Sequence, residues 1–169
     1  IEIGNFDSFY PQGRFFDADE VLSLAVQTRN LLPDVLLSVT VPHILTLDQQ
    51  SKLAMDLINA GADLIQTEGG TSSNPNKAGV MGLIEKAAPT LAASYTISQT
   101  FLEVDCKAPI LCASGLSEVT APMAIASGAF GVGIGSAINR LSSELEMIAM
   151  VKTMKAAVNS SVPKLLNTF

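Results

Sequence analysis

Short apolar runs that stop at glycine recur along the chain, and they constrain its fold more than any other feature. The run Pro109-Ile110-Leu111-Cys112-Ala113 breaks at Ser114-Gly115-Leu116, and Gly131-Val132-Gly133-Ile134 breaks at Gly135-Ser136-Ala137-Ile138. Each then opens into a segment of helical character. Ala60-Gly61-Ala62-Asp63-Leu64-Ile65 and Ser127-Gly128-Ala129-Phe130-Gly131-Val132 echo one another: small residue, Gly, Ala, then strand. This is the punctuation of alternating strand–helix units, which build a parallel sheet. Composition agrees. Of 169 residues, 48% are hydrophobic and 15% charged. That is the balance of a parallel sheet covered on both faces, whose strands read as continuous apolar runs. The length suffices for one domain with a substantial core.

Residues 1–4 read as a strand already under way, so further strand–helix units are expected before them. Asp17-x-x-Glu20 resembles a capping box, and apolar residues at helical spacing follow it until Pro33. Residues 35–41 read as the next strand. Thr46-x-x-Gln49 is a second capping box, and its helix ends at Gly61. A strand over 63–67 leads into Glu68-Gly69-Gly70 and a polar loop over 71–79, longer than most such connections. Helices are expected over 82–88 and 91–101 around Pro89, with a strand at 91–95 as the alternative. Residues 110–113 form a strand, Thr120 caps a helix closed by Gly128, and 131–134 form the last strand. Ser143 caps a final helix with an apolar stripe of Leu145, Ile148, Ala149 and Val151. Residues 1–158 make up the domain and 159–169 a polar tail.

The composition also excludes function classes. Net charge is −6, and the ten Lys and Arg are scattered, so neither nucleic acid nor an anionic membrane is an expected partner. The apolar runs are too short to span a bilayer. Cys106 and Cys112 match no metal pattern, and Cys112 sits in an apolar run where a buried, inert thiol is expected. The single histidine excludes multi-His zinc chemistry, and no metal site is expected. No Lys lies in an expected strand, which argues against a Schiff-base mechanism. No G-x-S-x-G elbow occurs, and Gly131-Val132-Gly133-Ile134-Gly135-Ser136 lacks the G-x-G-x-x-G spacing of dinucleotide sites.

In parallel α/β barrels the active site lies at the C-terminal ends of the strands. The polar groups expected there are Asn5, Asp7, Thr40, His43, Glu68, Ser72, Ser73, Asn74 and Ser114. His43 is a candidate general acid or base, as the side-chain type that titrates nearest neutrality. The alternative is a histidine bonded to backbone after Pro42. Glu68, between an apolar strand and two glycines, is a candidate proton acceptor or ligand contact; alternatively it fixes the Gly-rich loop by accepting backbone N–H bonds. Asp7 either orients a ligand or caps its loop. Gly69, Gly70, Thr71 and Ser72 offer backbone and hydroxyl groups to a ligand. Backbone N–H groups around Ser114, Gly115, Leu116, Gly135 and Ser136 suit an anion, because glycine turns and helix starts bind phosphate without a charged side chain. The alternative is that these glycines only make tight turns. Lys77 is the one cation in the long loop.

Six stretches, in this order, resemble one family: Ile1-Glu2-Ile3-Gly4-Asn5-Phe6-Asp7-Ser8-Phe9-Tyr10, Leu37-Ser38-Val39-Thr40-Val41-Pro42-His43, Gln66-Thr67-Glu68-Gly69-Gly70-Thr71-Ser72-Ser73-Asn74-Pro75, Leu83-Ile84-Glu85-Lys86-Ala87-Ala88-Pro89-Thr90-Leu91, Leu111-Cys112-Ala113-Ser114-Gly115-Leu116-Ser117 and Gly131-Val132-Gly133-Ile134-Gly135-Ser136-Ala137. The family is that of the hypothetical chloroplast open reading frame 23, found in algal plastids, in cyanobacteria and as plant relatives. The chain departs from it around residues 101–107 and in the tail containing Pro163. The resemblance implies an aldolase-type (β/α)8 TIM barrel of unknown function, with roughly three more strand–helix units before the first match. The chain would then be part of such a barrel, about strands four to eight. It also implies a chloroplast stromal setting, or cytoplasm in a cyanobacterium.

The expectation is therefore an α/β barrel segment that binds a phosphorylated small molecule at the loops after the last two strands. Flavin mononucleotide (FMN) is one candidate ligand. As an enzyme it would run proton-transfer chemistry of the lyase or isomerase type, with Glu68, His43 and Asp7 at the reactive end. The alternatives are a non-catalytic module that senses a metabolite or binds a protein, and a chain that folds only with a partner.

Overall fold

In the computed structural model of the chain, residues 1–69 and 74–161 are described. Five short parallel strands form one sheet in sequence order: β1 (Glu2–Gly4), β2 (Ser38–Thr40), β3 (Leu64–Thr67), β4 (Ile110–Ala113) and β5 (Gly131–Gly133). Each strand pairs in parallel with the next, so every connection crosses back over the sheet through a helix. The connections are α1 (Ala18–Leu31), α2 (Leu47–Asn59), α3 (Gly79–Glu103) and α4 (Ala121–Ala126), and α5 (Ser136–Asn139) and α6 (Glu144–Ser161) follow β5. A 3-10 helix, Asp7–Gln12, lies between β1 and α1.

The sheet is covered on one face, not two. Ile3, Val39, Ile65 and Ile110 share a register row and meet Val21, Ala25, Leu53, Leu57, Ile97 and Phe101 of the helices. Cys112 and Val132 continue that face against Ala87 and Ala124. The opposite face carries Glu2, Ser38, Thr40, Leu64, Gln66, Leu111, Ala113, Gly131 and Gly133, mixed polar, small and apolar. Gln66 donates to Glu2 at 2.7 Å and to Thr40 at 3.3 Å there. An apolar composition that suggests two buried faces is here concentrated in helices and in one sheet face. Wrapping all the helices on one side is how a sheet curls toward a barrel.

Both N-caps form where their spacing predicts, but only the second is a full capping box, because the Glu20 carboxylate pairs with Arg14. Asp17 accepts the Glu20 N–H at 2.8 Å, and Thr46 and Gln49 cap each other reciprocally. Four expectations need correction. The second strand is only Ser38–Thr40, because Arg29 and Asp63 hold the chain before it. The Arg29 guanidinium donates to the carbonyls of Leu32, Pro33 and Val35, and the Asp63 carboxylate accepts the Leu37 N–H at 2.7 Å. The two helices around Pro89 are one, since α3 runs through the proline. Pro89 is exposed, while Thr90, Ala93, Ser94 and Ile97 bury the next turn, and tertiary packing outweighs one lost N–H. Thr120 does not cap α4; its hydroxyl accepts the Ser117 N–H at 2.9 Å instead. The α6 stripe is not core. Ser143 caps the helix as expected, but Leu145 is 77% exposed, and Met154, at 5%, is the buried side chain. The helix also runs past residue 158, the expected boundary of the tail.

Candidate functional site

The C-terminal ends of β1, β2 and β3 bring Asn5, His43 and Glu68 together. Each follows its strand by one to three residues, so parallel register alone places them at one edge. Glu68 Oε1 accepts from the His43 backbone N–H at 3.2 Å, from His43 Nδ1 at 2.6 Å and from the Asn5 side-chain amide. Asn5 Oδ1 in turn accepts the Tyr10 hydroxyl at 2.6 Å, and the Tyr10 ring lies 5.3 Å from the His43 ring. The histidine and glutamate side chains are 8% and 11% exposed.

A carboxylate can only accept, so against one His43 Nδ1 is the donor, and in the neutral imidazole Nε2 then carries the lone pair. All three bonds fall on Oε1; Oε2 has no partner among the described residues. Glu68 borders a depression of about 140 Å3, shared with Glu2, Asn5, Phe6, Asp7, Thr40 and Gln66. Burial, reinforced by the Glu68 charge, pushes the Tyr10 phenol up to about 12. Tyr10 is thus a neutral donor over the whole physiological range.

Among the described residues Glu68 accepts one backbone N–H, that of His43 and not one of the Gly-rich loop. His43 bonds to a carboxylate and not to backbone oxygen. Asp7 opens the 3-10 helix without capping it and sits on the rim of the depression. Gly70, Thr71, Ser72 and Ser73 lie outside the described residues. Asn74 is exposed. Tyr10 was not among the site residues expected; its only sequence signal is its place in the aromatic loop.

A second group forms where β3 and β4 end. Ser114 and Gly115 both have positive φ, 74° and 72°. A side chain at Gly115 would put its Cβ 2.7 Å from the Lys86 carbonyl oxygen and 3.2 Å from Lys86 Cγ. Gly69 adjoins the same place: a Cβ on it would be 3.6 Å from Ser114 Oγ and 3.7 Å from the Lys86 carbonyl. Gly69 is also Glu68's neighbour, so the two groups are continuous. The N–H groups of Gly115 and Leu116 donate to no acceptor among the described residues. The strands β4 and β5 end side by side, with Ala113 opposite Gly133, so the loop carrying Gly135 and Ser136 starts at the same edge. Gly135 and Ser136 are exposed, and a Cβ at Gly135 would meet nothing. Only Gly115, of the two expected phosphate glycines, is required by packing.

Beneath both groups lies Thr90, fully buried. Its hydroxyl donates to the Ala113 carbonyl at 2.6 Å and meets the Thr67 hydroxyl at 2.7 Å and Cys112 Sγ at 3.5 Å. It ties the last residues of β3 and β4, those preceding Glu68 and Ser114, to one turn of α3. Burial pushes the Cys112 thiol up, which fits the inert cysteine expected. Among the described residues no cluster of His, Cys, Asp and Glu could hold a metal.

A family described as a protein of unknown function (DUF561) matches residues 1–164. The chain belongs to this family. Its relatives bear the name uncharacterized protein ycf23, that of the hypothetical chloroplast open reading frame. The relative from Porphyra purpurea is 44% identical over 161 residues, covering 95% of this chain and 59% of that protein. The relative from Cyanophora paradoxa is 43% identical, covering 95% and 64%. The chain thus spans about three fifths of the length of the curated relatives it matches. A name taken from a plastid reading frame points to a plastid setting for the family. Among solved structures, the chain is similar to a thiamine phosphate pyrophosphorylase from Pyrococcus furiosus, with a TM-score of 0.58 at 15% identity over 95% of this chain and 59% of that one. It is also similar to a 3-hexulose-6-phosphate synthase, with a TM-score of 0.57 at 18% identity over 93% and 61%. At these identities the likeness concerns the fold: an α/β arrangement of the TIM-barrel type. No helix among the described residues is long and apolar enough to cross a membrane.

Proposed function

We propose that the five strands are numbers four to eight of a (β/α)8 barrel, and that this barrel holds a phosphorylated small molecule while His43 moves a proton on it. The observation that carries the reading is the His43–Glu68 pair at the strand ends. Glu68 fixes the imidazole tautomer and steadies the imidazolium that forms when Nε2 takes a proton. A carbon next to a carbonyl or imine is the class of proton donor suited to such a base. Asn5 and Tyr10 hold the carboxylate in place, so the pair is set before a ligand arrives. The ligand's phosphate fits the unpartnered N–H groups at Gly115 and Leu116, with the loop at Gly135 and Ser136 beside them. Two features support the barrel reading: β1 and β5 each have a single strand partner, and the relatives are longer. Two of the similar solved structures are named for phosphorylated compounds. The plastid stroma is the compartment we propose.

Native mass spectrometry of the full-length family protein, purified from its own source, tests the binding. A retained phosphate ester is expected; a retained FMN would name the ligand. The proton step is tested on that ligand in deuterated water. Wild type is expected to exchange a carbon-bound hydrogen, and His43→Asn to leave it in place. An empty protein that no phosphorylated metabolite stabilises would overturn the reading in favour of a protein-binding module.

A further inference from the structure

Among the described residues, Lys86 packs its stem against the strand ends that carry the candidate site. It lies in the second turn of α3, and its Cγ and carbonyl occupy the space that a side chain at Gly115 would need. Gly115 therefore serves two purposes: it adopts a positive φ, and it leaves room for the lysine stem. Side chains on a helix tilt toward its N-terminus. The N-terminus of α3 follows the long loop after β3, so that tilt carries the Lys86 ammonium toward the C-terminal edge of the sheet. The lysine is half-buried and forms no ion pair or hydrogen bond among the described residues. Its neighbour Glu85 forms no ion pair with it; that carboxylate accepts the backbone N–H groups of Asn76 and Lys77 at 2.8 and 3.1 Å instead. Lys77, the cation of the long loop, is exposed.

We propose that Lys86 supplies the positive charge of the phosphate subsite, binding the dianion of a phosphate monoester together with the Gly115 and Leu116 N–H groups. This rests on the phosphate reading above and adds to it the residue that selects a dianion. Two backbone N–H groups alone favour any small anion. A lysine ammonium is a point charge and adds charge-assisted donors, which favours the doubly charged phosphate.

The test uses the full-length family protein and inorganic phosphate as the probe, followed by calorimetric titration. Lys86→Met keeps the aliphatic stem against Gly115 and removes only the charge. It is expected to weaken phosphate binding by at least about tenfold, the value of one charge-assisted bond, and to flatten its dependence on added salt. Lys86→Arg keeps the charge and is expected to retain most of the affinity. Lys52→Met, on the exposed face of α2, is the control and is expected to match wild type. Thermal melts establish that each variant is folded; if Lys86→Met does not fold, Lys86→Gln, which also removes the charge, takes its place in the same salt series with the same expected loss. Phosphate binding unchanged in Lys86→Met, with the same salt slope, overturns the role of Lys86 and leaves the phosphate reading standing. A wild type that binds no phosphate overturns the phosphate reading itself, and the role of Lys86 with it.

Discussion

Glu68 shows how much one side chain can organise. Its Oε1 gathers a backbone N–H and an imidazole N–H from the end of β2 and an amide from the end of β1, while its Oε2 has no partner among the described residues. Tyr10 reports on this arrangement from outside it. The phenol is neutral in the folded protein, and desolvation with the Glu68 charge raises its pKa to about 12 from an ordinary value near 10. A raised pKa means the folded state holds the proton more tightly. The stabilising contribution is therefore complete below about pH 10 and is lost as pH rises toward about 12. An alkaline absorbance titration of the folded protein is expected to show a tyrosinate forming near pH 12 that Tyr10→Phe abolishes. A tyrosine lost near pH 10 in that variant would refute the burial argument. The two cysteines give a second test at this scale. Cys112 is fully buried, with its thiol pushed up, whereas Cys106 is partly exposed. Brief iodoacetamide treatment of the native protein is expected to label Cys106 alone, as peptide mapping would reveal.

At the scale of elements, α3 does more than cross from β3 to β4. Its Thr90 clamps the two strand ends, and its Lys86 backbone determines that residue 115 is glycine. Thr90→Val keeps the shape but leaves the buried Ala113 carbonyl without its donor. The expected loss is about 1–3 kcal/mol in urea unfolding, and Thr90→Ser is expected to restore most of it. A neutral Thr90→Val would show that the hydroxyl is not a tie between the strands. The closure of α4 makes a sharper steric case. Gly128 has a φ of 89°, and a Cβ there would overlap the Ser98 side chain of α3. Gly128→Ala is expected to cost about 2 kcal/mol or more, read as a lower melting temperature. Pairing it with Ser98→Gly should recover the steric share of that loss and leave the share due to φ.

At the scale of the whole molecule, β1 and β5 each have one strand neighbour among the described residues, and Leu145, Ile148 and Val151 of α6 are exposed. Val132, Ile134, Val151 and Met154 line a groove of about 300 Å3 there. Unpaired edges and contiguous apolar surface favour association. Residues 1–169 by themselves are expected to bind the dye ANS and to elute as more than a monomer in gel filtration. The full-length Porphyra purpurea relative is expected to do neither. A dye-silent, monomeric chain of residues 1–169 would count against closure of the sheet by further strands.

What could be read from the residues in order was whatever depends on near neighbours. The N-cap at Asp17, the capping box at Thr46, the Gly128 stop, the strand over 110–113 and the alternation toward a parallel sheet all follow from spacing within a few residues. The polar residues at strand ends followed too, since an apolar run that stops names its own last position. Glu68 and His43 were legible for that reason. Their pairing was not, because it depends on strands 25 residues apart lying in register. Helical spacing alone also grouped Leu145, Ile148 and Val151 on the last helix, and these three are exposed, because periodicity defines a face and not what covers it. Pro89 stays inside α3, and β2 is shortened, because packing and the Arg29–Asp63 bonds outweigh local preference. Tyr10, Thr90 and Lys86 became visible only in three dimensions. Each acts through a partner remote in sequence, and a through-space contact leaves no periodic trace in the chain.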